Sequence, residues 1–267
     1  MKIGYVQFAP SLGNRNETID RLNPLIESGS DADLLVLPEL CNTGYNFTSR
    51  KMAFDLCESA KNSDFLDYII SKCASFNLHI AAGIGERDGD LIYNSSFLVG
   101  PAGIIGKYRK LHLFVDEKDC FEPGDLGLPV FDIGSCKVGM VVCFDWMFPE
   151  AYRVLALKGA DVICHPSNLV LPGFAQQAIP VHSLVNHVYI VTSNRIGTED
   201  DLTFTGNSII SNPKGKVLAS APLDRDEVKV VDVDIEFARN KAITPRNDAF
   251  ADRRPSEYKE ITECDRH

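Results

Sequence analysis

Apolar residues fall along this chain in short runs separated by longer, mixed segments. The runs are rich in Val and Ile, several alternate with polar residues, and several are apolar throughout. They predict strands at Ile3–Phe8, Leu34–Leu37, His79–Ile84, Ser95–Val99, Ile104–Tyr108, Lys137–Cys143, Val162–His165, Tyr189–Ser193, Asn207–Ser211, Val217–Ser220 and Val228–Val233. The mixed segments predict helices at about Asn14–Ser28, Ser63–Phe76, Pro149–Lys158 and Ala175–Asn186. Local chemistry marks the third of these. Pro149 suits a first helical position, where a missing N–H costs nothing, and Glu150 faces the positive end of the dipole. Gly159 closes it. Strands interleaved with helices, some apolar on both faces, predict an α/β fold with sheets covered by helices. Eleven strands are many for one open twisted sheet, so two sheets are expected.

No Gly/Ser-rich or Pro-rich linker and no fixed repeat divides the 267 residues, a length that suits one large domain or two small ones. The opening Met1–Pro10 alternates like a strand and has no cleavage site of a signal peptide. Apolar runs stay under ten residues, too short for a membrane span, so a cytoplasmic, soluble protein is the default expectation. Hydrophobic residues at 45% and charged residues at 24% exclude general disorder. A formal charge of −10 without any basic run makes nucleic acid and anionic membranes poor partners. After Pro245 the chain turns charged and aromatic (Arg253, Arg254, Tyr258) and reads either as an arm over a neighbouring subunit or as a frayed tail.

Chemistry enters with the eight cysteines, at 41, 57, 73, 120, 136, 143, 164 and 264. None forms a C-x2-C pair, and no His/Cys spacing fits a metal cluster, so no metal is expected. The chain is too large to need disulfide staples, which leaves free thiols in a reducing compartment, one of them a candidate nucleophile. Three ionisable residues sit at strand ends. Glu39 follows Leu34–Pro38; a carboxylate there lies at a sheet edge where α/β sites collect, although a lone loop acid is ordinarily solvated. Lys110 lies in Gly106–Phe114, where alternation puts Tyr108 and Lys110 on one face and Lys107 and Arg109 on the other; spacing alone does not select Lys110. Cys143 ends the run Val138–Cys143 just before Pro149, the strand-to-helix placement of a nucleophile elbow. A helix N-terminus nearby is expected to lower its pKa and to hold an oxyanion; the plain alternative is a buried small hydrophobe.

Together the stretches LLVLPELCNTGY, GKYRKLHLF and VGMVVCFDWMFPE resemble the three ordered signatures of the nitrilase, or carbon–nitrogen hydrolase, superfamily. The opening KIGYVQFAP, Tyr93-Asn94-Ser95 and the run Phe121–Gly127 add to the likeness, which covers about residues 1–250 and is nearest to the stand-alone bacterial and archaeal amidase/nitrilase branch. The resemblance implies a four-layer αββα sandwich. It implies a single domain over 1–267, with 245–267 a C-terminal extension that often joins a subunit contact, and a homodimer or higher homo-oligomer. No room is left for an attached synthetase or histidine-triad domain. It assigns Cys143 as nucleophile, Glu39 as general base and Lys110 as the cation that meets the oxyanion, helped by the Phe144 backbone N–H, with no cofactor. A second glutamate that orients substrate falls on Glu117, with Asp116 the competing choice and a surface acid the ordinary one. By analogy Tyr45, Trp146 and Asn168 line the pocket, ordinary packing or turn chemistry being the alternative for each, while His112 and His165 read as structural.

The reaction implied is hydrolysis of a small linear amide. An N-carbamoyl compound comes second and a nitrile third, because Phe144–Glu150 differs from the Cys-Trp-Glu form frequent in nitrilases. Two other classes stay open: acyl transfer to an amine, and a non-catalytic binding protein, which an intact Glu–Lys–Cys set opposes. No GxGxxG or GxxxxGK[ST] context supports nucleotide binding.

Overall fold

The structure, a computed structural model of the chain, describes residues 1–263; Cys264 lies outside them. The strands in chain order are β1 (Lys2–Gln7), β2 (Leu34–Val36), β3 (His79–Asp88), β4 (Leu91–Gly100), β5 (Gly103–Arg109), β6 (Val130–Asp132), β7 (Lys137–Met140), β8 (Val162–Ser167), β9 (Tyr189–Asn194), the small hairpin β10 and β11 (Thr198–Glu199, Leu202–Thr203), β12 (Ile209–Ser211), β13 (Val217–Ser220) and β14 (Glu227–Asp232). The helices that matter here are α1 (Arg15–Ser28), α2 (Arg50–Leu56), α3 (Asp64–Phe76), α4 (Glu117–Cys120), α5 (Pro149–Leu157) and α6 (Phe174–Asn186).

Two six-stranded sheets form, ordered β14-β1-β2-β3-β4-β5 and β13-β12-β9-β8-β7-β6. Strands β1, β2 and β3 run parallel, as do β7, β8 and β9, and antiparallel strands flank each set. Alternation along the strands explains the layering. Ile3, Tyr5, Leu34, Val36 and Ala81 join Val138, Met140, Cys164 and Val191 in one core between the sheets. Their neighbours Val6, Leu35, Leu37, Ile80 and Ala82 turn the other way onto Leu22 and Ile26 of α1 and Ile69 and Cys73 of α3. On the far side, Leu155 of α5 and Ile179 of α6 cover the second sheet. The result is four layers: helices, sheet, sheet, helices. Strands apolar on both faces are those buried on both faces.

Helix starts follow the sequence signals. Asn14 caps α1 by accepting from the Glu17 N–H, Ser63 caps α3 by accepting from Leu66 N–H, and Pro149 opens α5. Gly159 follows α5 at φ +90°, a conformation that suits glycine. Three features differ from expectation. The predicted strand to Ile84 runs on to Asp88, where Glu86 is buried against Lys107, Arg109 and Ser95. Helices α2 and α4 are too short for periodicity to signal. Most consequentially, the strand expected to end at Cys143 stops at Met140, and Cys143 instead begins a 3-10 turn, Cys143–Met147. No helix among the described residues is long and apolar enough to cross a membrane.

Candidate active site

Glu39, Lys110, Cys143 and Asn168 all follow strand ends, those of β2, β5, β7 and β8. Strand β5 runs the same way as β2, because two antiparallel steps separate it from β3, so Glu39 and Lys110 emerge at one edge of the first sheet. Parallel sheets present their ligand-binding edge in this way.

Glu39 is fully buried, not a solvated loop acid. Its loop is seated on β3, with the Cys41 N–H donating to Gly83 O at 2.8 Å and the Gly83 N–H to Pro38 O at 3.1 Å. A Cβ at Gly83 would lie 2.3 Å from Glu39 Cα, so only glycine lets the two backbones approach this closely. Glu39 Oε1 accepts from Asn94 Nδ2 at 2.6 Å and from Lys110 Nζ at 2.8 Å. Its Oε2 is buried and accepts nothing from the described residues. Lys110 Nζ also donates to Glu117 Oε1 at 2.8 Å, an atom that accepts from the Tyr45 hydroxyl at 2.8 Å as well.

The choice between Glu117 and Asp116 is made by the backbone. Val115 takes φ +42°, rarely adopted by a β-branched residue, and the turn buries Glu117 while leaving Asp116 exposed. Lys110 was not separable from its neighbours by spacing, yet the alternation holds. Lys107 and Arg109 turn to Glu86 on the other face, while Tyr108 and Lys110 turn toward Asp145 and Glu39.

One ammonium therefore sits between two buried carboxylates. Burial works against the charge on Lys110, but Glu117 and then Glu39 outweigh it and hold its pKa above the ordinary lysine range. Burial raises the pKa of Glu117, the nearby Glu39 charge adds to the rise, and Lys110 opposes it.

Cys143 takes φ +43°, a left-handed conformation that costs a non-glycine residue about 1–3 kcal/mol unless its surroundings impose it. They do. Asp145, fully buried, accepts from the Val142 N–H at 2.8 Å and the Tyr108 hydroxyl at 2.7 Å through Oδ2, and from His112 Nδ1 at 2.7 Å through Oδ1. His112 stacks on Phe148 with ring centroids 3.5 Å apart. The Cys143 carbonyl accepts from His165 Nε2 at 2.8 Å. Burial holds the His165 pKa down at about 4, so the ring is neutral with its proton on Nε2, and Nδ1 lies 3.0 Å from the Thr192 hydroxyl. Both histidines thus bind the turn that carries Cys143. Asp145 and Asn94 are the site residues that the sequence left unassigned, although both stand inside the stretches that carry the resemblance; His112 and His165, read as structural, support the Cys143 turn.

The thiol departs from expectation. Its pKa is raised, first by burial and then by Glu39, with Lys110 pulling the other way. The helix N-terminus expected to lower it lies further along, at Pro149, beyond the 3-10 turn. Asn168, also buried, donates its Nδ2 to Glu39 O at 3.1 Å and so links β8 to the Glu39 loop.

A cavity of about 110 Å³ opens over Glu117, walled by Tyr45, Phe47, Phe114, Phe121 and Val170 with Asp116 and Asn46. Phe114 and Val170 also line a smaller hollow at Cys143, with Phe144, Trp146 and Asn168. Of the residues named from the sequence, Tyr45 lines the first space, and Trp146, Asn168 and Phe144, whose N–H is the oxyanion candidate, line the second. Neither space has a Lys or Arg in its lining. Among the described residues, no group of three His, Cys, Asp or Glu side chains is arranged to hold a metal ion.

A family model described as carbon–nitrogen hydrolase matches residues 2–242. A protein named nitrilase from Pyrococcus abyssi is 46% identical over 260 residues, covering 97% of this chain and 99% of that one. A citrullinase from Francisella tularensis is 32% identical over 283 residues, with 98% of each chain covered. The solved structure of a carbon–nitrogen hydrolase from Helicobacter pylori shares the fold at a TM-score of 0.87 and 26% identity, again over 98% of each chain. On this sequence similarity and this four-layer architecture, the chain belongs to the carbon–nitrogen hydrolase family of the nitrilase superfamily and is a hydrolase of carbon–nitrogen bonds.

Proposed function

We propose that this enzyme hydrolyses a small linear amide through a thioester on Cys143 and releases ammonia. The observation that carries the reading is the junction at Lys110. One ammonium fixes Glu39 and Glu117 through a single oxygen of each, Glu39 Oε2 is left without a partner, and the Glu39 charge acts on the Cys143 thiol.

The steps follow from those positions. Because burial and Glu39 disfavour a free thiolate, the thiol proton must leave as sulfur attacks, and Glu39 Oε2 is the acceptor. Sulfur adds to the amide carbon, and the carbonyl oxygen becomes an oxyanion that Lys110 and the Phe144 backbone N–H stabilise. As the tetrahedral species collapses, the C–N bond breaks and Glu39 returns its proton to the departing amine. Ammonia leaves. Glu39 then takes a proton from water, whose oxygen attacks the thioester, and collapse restores the thiol and frees the acid. Glu117, held by Lys110 and Tyr45, orients the amide nitrogen. Replacing Glu39 by Gln removes this proton shuttle but keeps the acceptor toward Lys110. Turnover is expected to fall by about 10²–10⁴-fold, with near-normal substrate affinity, measured as kcat and KM.

The cavity limits the acyl group. At about 110 Å³ it is smaller than the roughly 150 Å³ space that takes a benzene ring, and Tyr45, Phe47, Phe114 and Phe121 line it together with aliphatic and acidic residues. A substrate carboxylate would find Asp116 and Glu117 there and no Lys or Arg of the lining. We therefore assign short acyl chains without a carboxylate. The names of the Pyrococcus and Francisella relatives favour nitriles and citrulline-like N-carbamoyl compounds as further substrate classes. Ammonia release from matched panels of short amides, nitriles and N-carbamoyl compounds, each with and without a terminal carboxylate, tests the assignment. Amides without the carboxylate should give the highest kcat/KM, and preference for the acids would overturn it.

The same proposal takes residues 1–267 as one catalytic unit that works as a dimer. Exposed Leu157 of α5 and Phe174, Val181, Leu184 and Val185 of α6 give the second copy an apolar face to cover.

A further inference from the structure

Arg195 is one of the largest fully buried side chains of the protein, and neither cavity at the site includes it. It follows β9 directly. Its Nη1 donates to Glu199 Oε1 at 2.5 Å, its Nη2 to Pro10 O at 3.2 Å, and its guanidinium stacks over the Phe204 ring at 4.0 Å. Glu199, in β10, is buried too. Its second oxygen, Oε2, accepts from two consecutive backbone N–H groups, those of Tyr45 at 3.0 Å and Asn46 at 2.7 Å. Asn46 Nδ2 returns a bond to Glu199 O at 3.1 Å, and Phe204 meets the Tyr45 ring edge-on at 5.8 Å. Gly44 turns the chain into this grip at φ +80°, where a Cβ would stand 2.9 Å from Glu199 Oε1.

Two charges buried this deeply stabilise a fold little more than an apolar pair of the same size would. What they supply is direction: a carboxylate fixed by a forked cation presents one oxygen at one place. Here that oxygen fixes the backbone of Tyr45, whose hydroxyl reaches Glu117 Oε1 on the atom that also takes Lys110. We propose that Arg195 and Glu199 form a positioning pair for the reaction, which clamps the Tyr45–Asn46 backbone so that the Tyr45 hydroxyl holds Glu117 on Lys110. The proposal rests on the catalytic reading of Glu117 and Lys110 above.

Glu199→Gln keeps the shape but breaks the clamp on one side or the other, since its amide can accept from the two N–H groups or from Arg195 but not from both. Tyr45→Phe removes only the last link. Both variants are expected to lose about 10–10²-fold in kcat, the scale of a small misplacement of a catalytic group, with a smaller change in KM. Both should also move the acid limb of the pH–rate profile to higher pH. The Tyr45 hydroxyl favours the ionised form of Glu117, so losing it raises the pH at which that carboxylate forms. If the two act through one route, the double variant Tyr45→Phe/Glu199→Gln is no worse than the poorer single one. Where Glu199→Gln does not fold, Arg195→Met/Glu199→Gln removes both charges and carries the same measurements. A folded Glu199→Gln or Arg195→Met/Glu199→Gln enzyme with the wild-type kcat and acid limb would overturn the proposal, as would losses that multiply in the double variant. Glu117→Gln separates the two levels of the argument. Impaired Glu117→Gln beside unimpaired Glu199→Gln removes the clamp alone, whereas wild-type turnover in Glu117→Gln removes the reading of the site beneath it.

Discussion

Cys143→Ala is expected to abolish ammonia release while leaving the fold intact. The substitution removes one sulfur from a residue whose backbone is fixed from outside, by Asp145 on the preceding N–H and by His165 on its carbonyl. Stability should stay within about 1–2 kcal/mol of wild type, as for a small volume change in a buried site. Chemistry has no such reserve: among the described thiols Cys143 feels both Glu39 and Lys110, whereas Cys41, the other that feels Glu39, faces Arg195 and donates its thiol to Pro38 O. Cys41, Cys57, Cys73, Cys120, Cys136 and Cys164 all have their pKa raised by burial. That of Cys143 is raised as well, so what distinguishes it is the adjacent base and not a resting thiolate. Intact-mass measurement during turnover should find an acyl adduct on wild type and none on Cys143→Ala. Persistent turnover in the variant would transfer the nucleophile elsewhere. Iodoacetamide should modify Cys143 before the other described thiols, and uniform labelling would contradict a base at Glu39.

Lys110→Met should damage both activity and stability. The ammonium is fully buried between Glu39 and Glu117, and removing it leaves two carboxylates facing each other without a cation. Breaking a buried pair from one side costs about 3–5 kcal/mol, because the charge left behind is uncompensated. Loss of the oxyanion donor should lower kcat by a further 10²–10³-fold or so. The stability loss should depend on pH with a definite sign. The Glu117 carboxyl already lies above its ordinary range through burial and the Glu39 charge, and Lys110 is what opposes that rise. Without Lys110 the folded protein takes up a proton there more readily than the unfolded chain does. The penalty is therefore present in full above the raised folded pKa of Glu117, and it fades as pH falls toward the ordinary carboxylate value. Thermal melts of wild type and Lys110→Met between about pH 5 and 8 should converge toward the acid end, within the usual range of folded stability. A gap independent of pH would mean that Glu117 is not the group left unpaired.

Much of the architecture can be read from local pattern. Pro149 and Gly159 mark helix ends through chemistry that acts within one turn, and the structure keeps both; Asn14 and Ser63, where two helices were expected to begin, are their caps. Runs such as Leu34–Leu37, apolar at every position, imply layers on both sides, which is why two covered sheets were expected. Features that depend on distant partners were hidden. Glu86 looks like a loop acid until Lys107 and Arg109 arrive from a strand two places further on. Arg50–Leu56 carries no periodic stripe long enough to announce a helix.

The site divides along the same line. By itself the sequence determined the family, through three ordered stretches, and placed Glu39 and Cys143 at strand ends. It also put Lys110 on the face opposite Lys107 and Arg109, because those are properties of order and of a two-residue period. Only the tertiary structure decided that Glu117 rather than Asp116 meets Lys110, since that follows from the turn at Val115. It also decided that Asp145 and His165 hold the Cys143 turn and that the thiol is more, not less, reluctant to ionise. Burial and the distance to another charge set a pKa, and neither exists until segments remote in sequence have packed together.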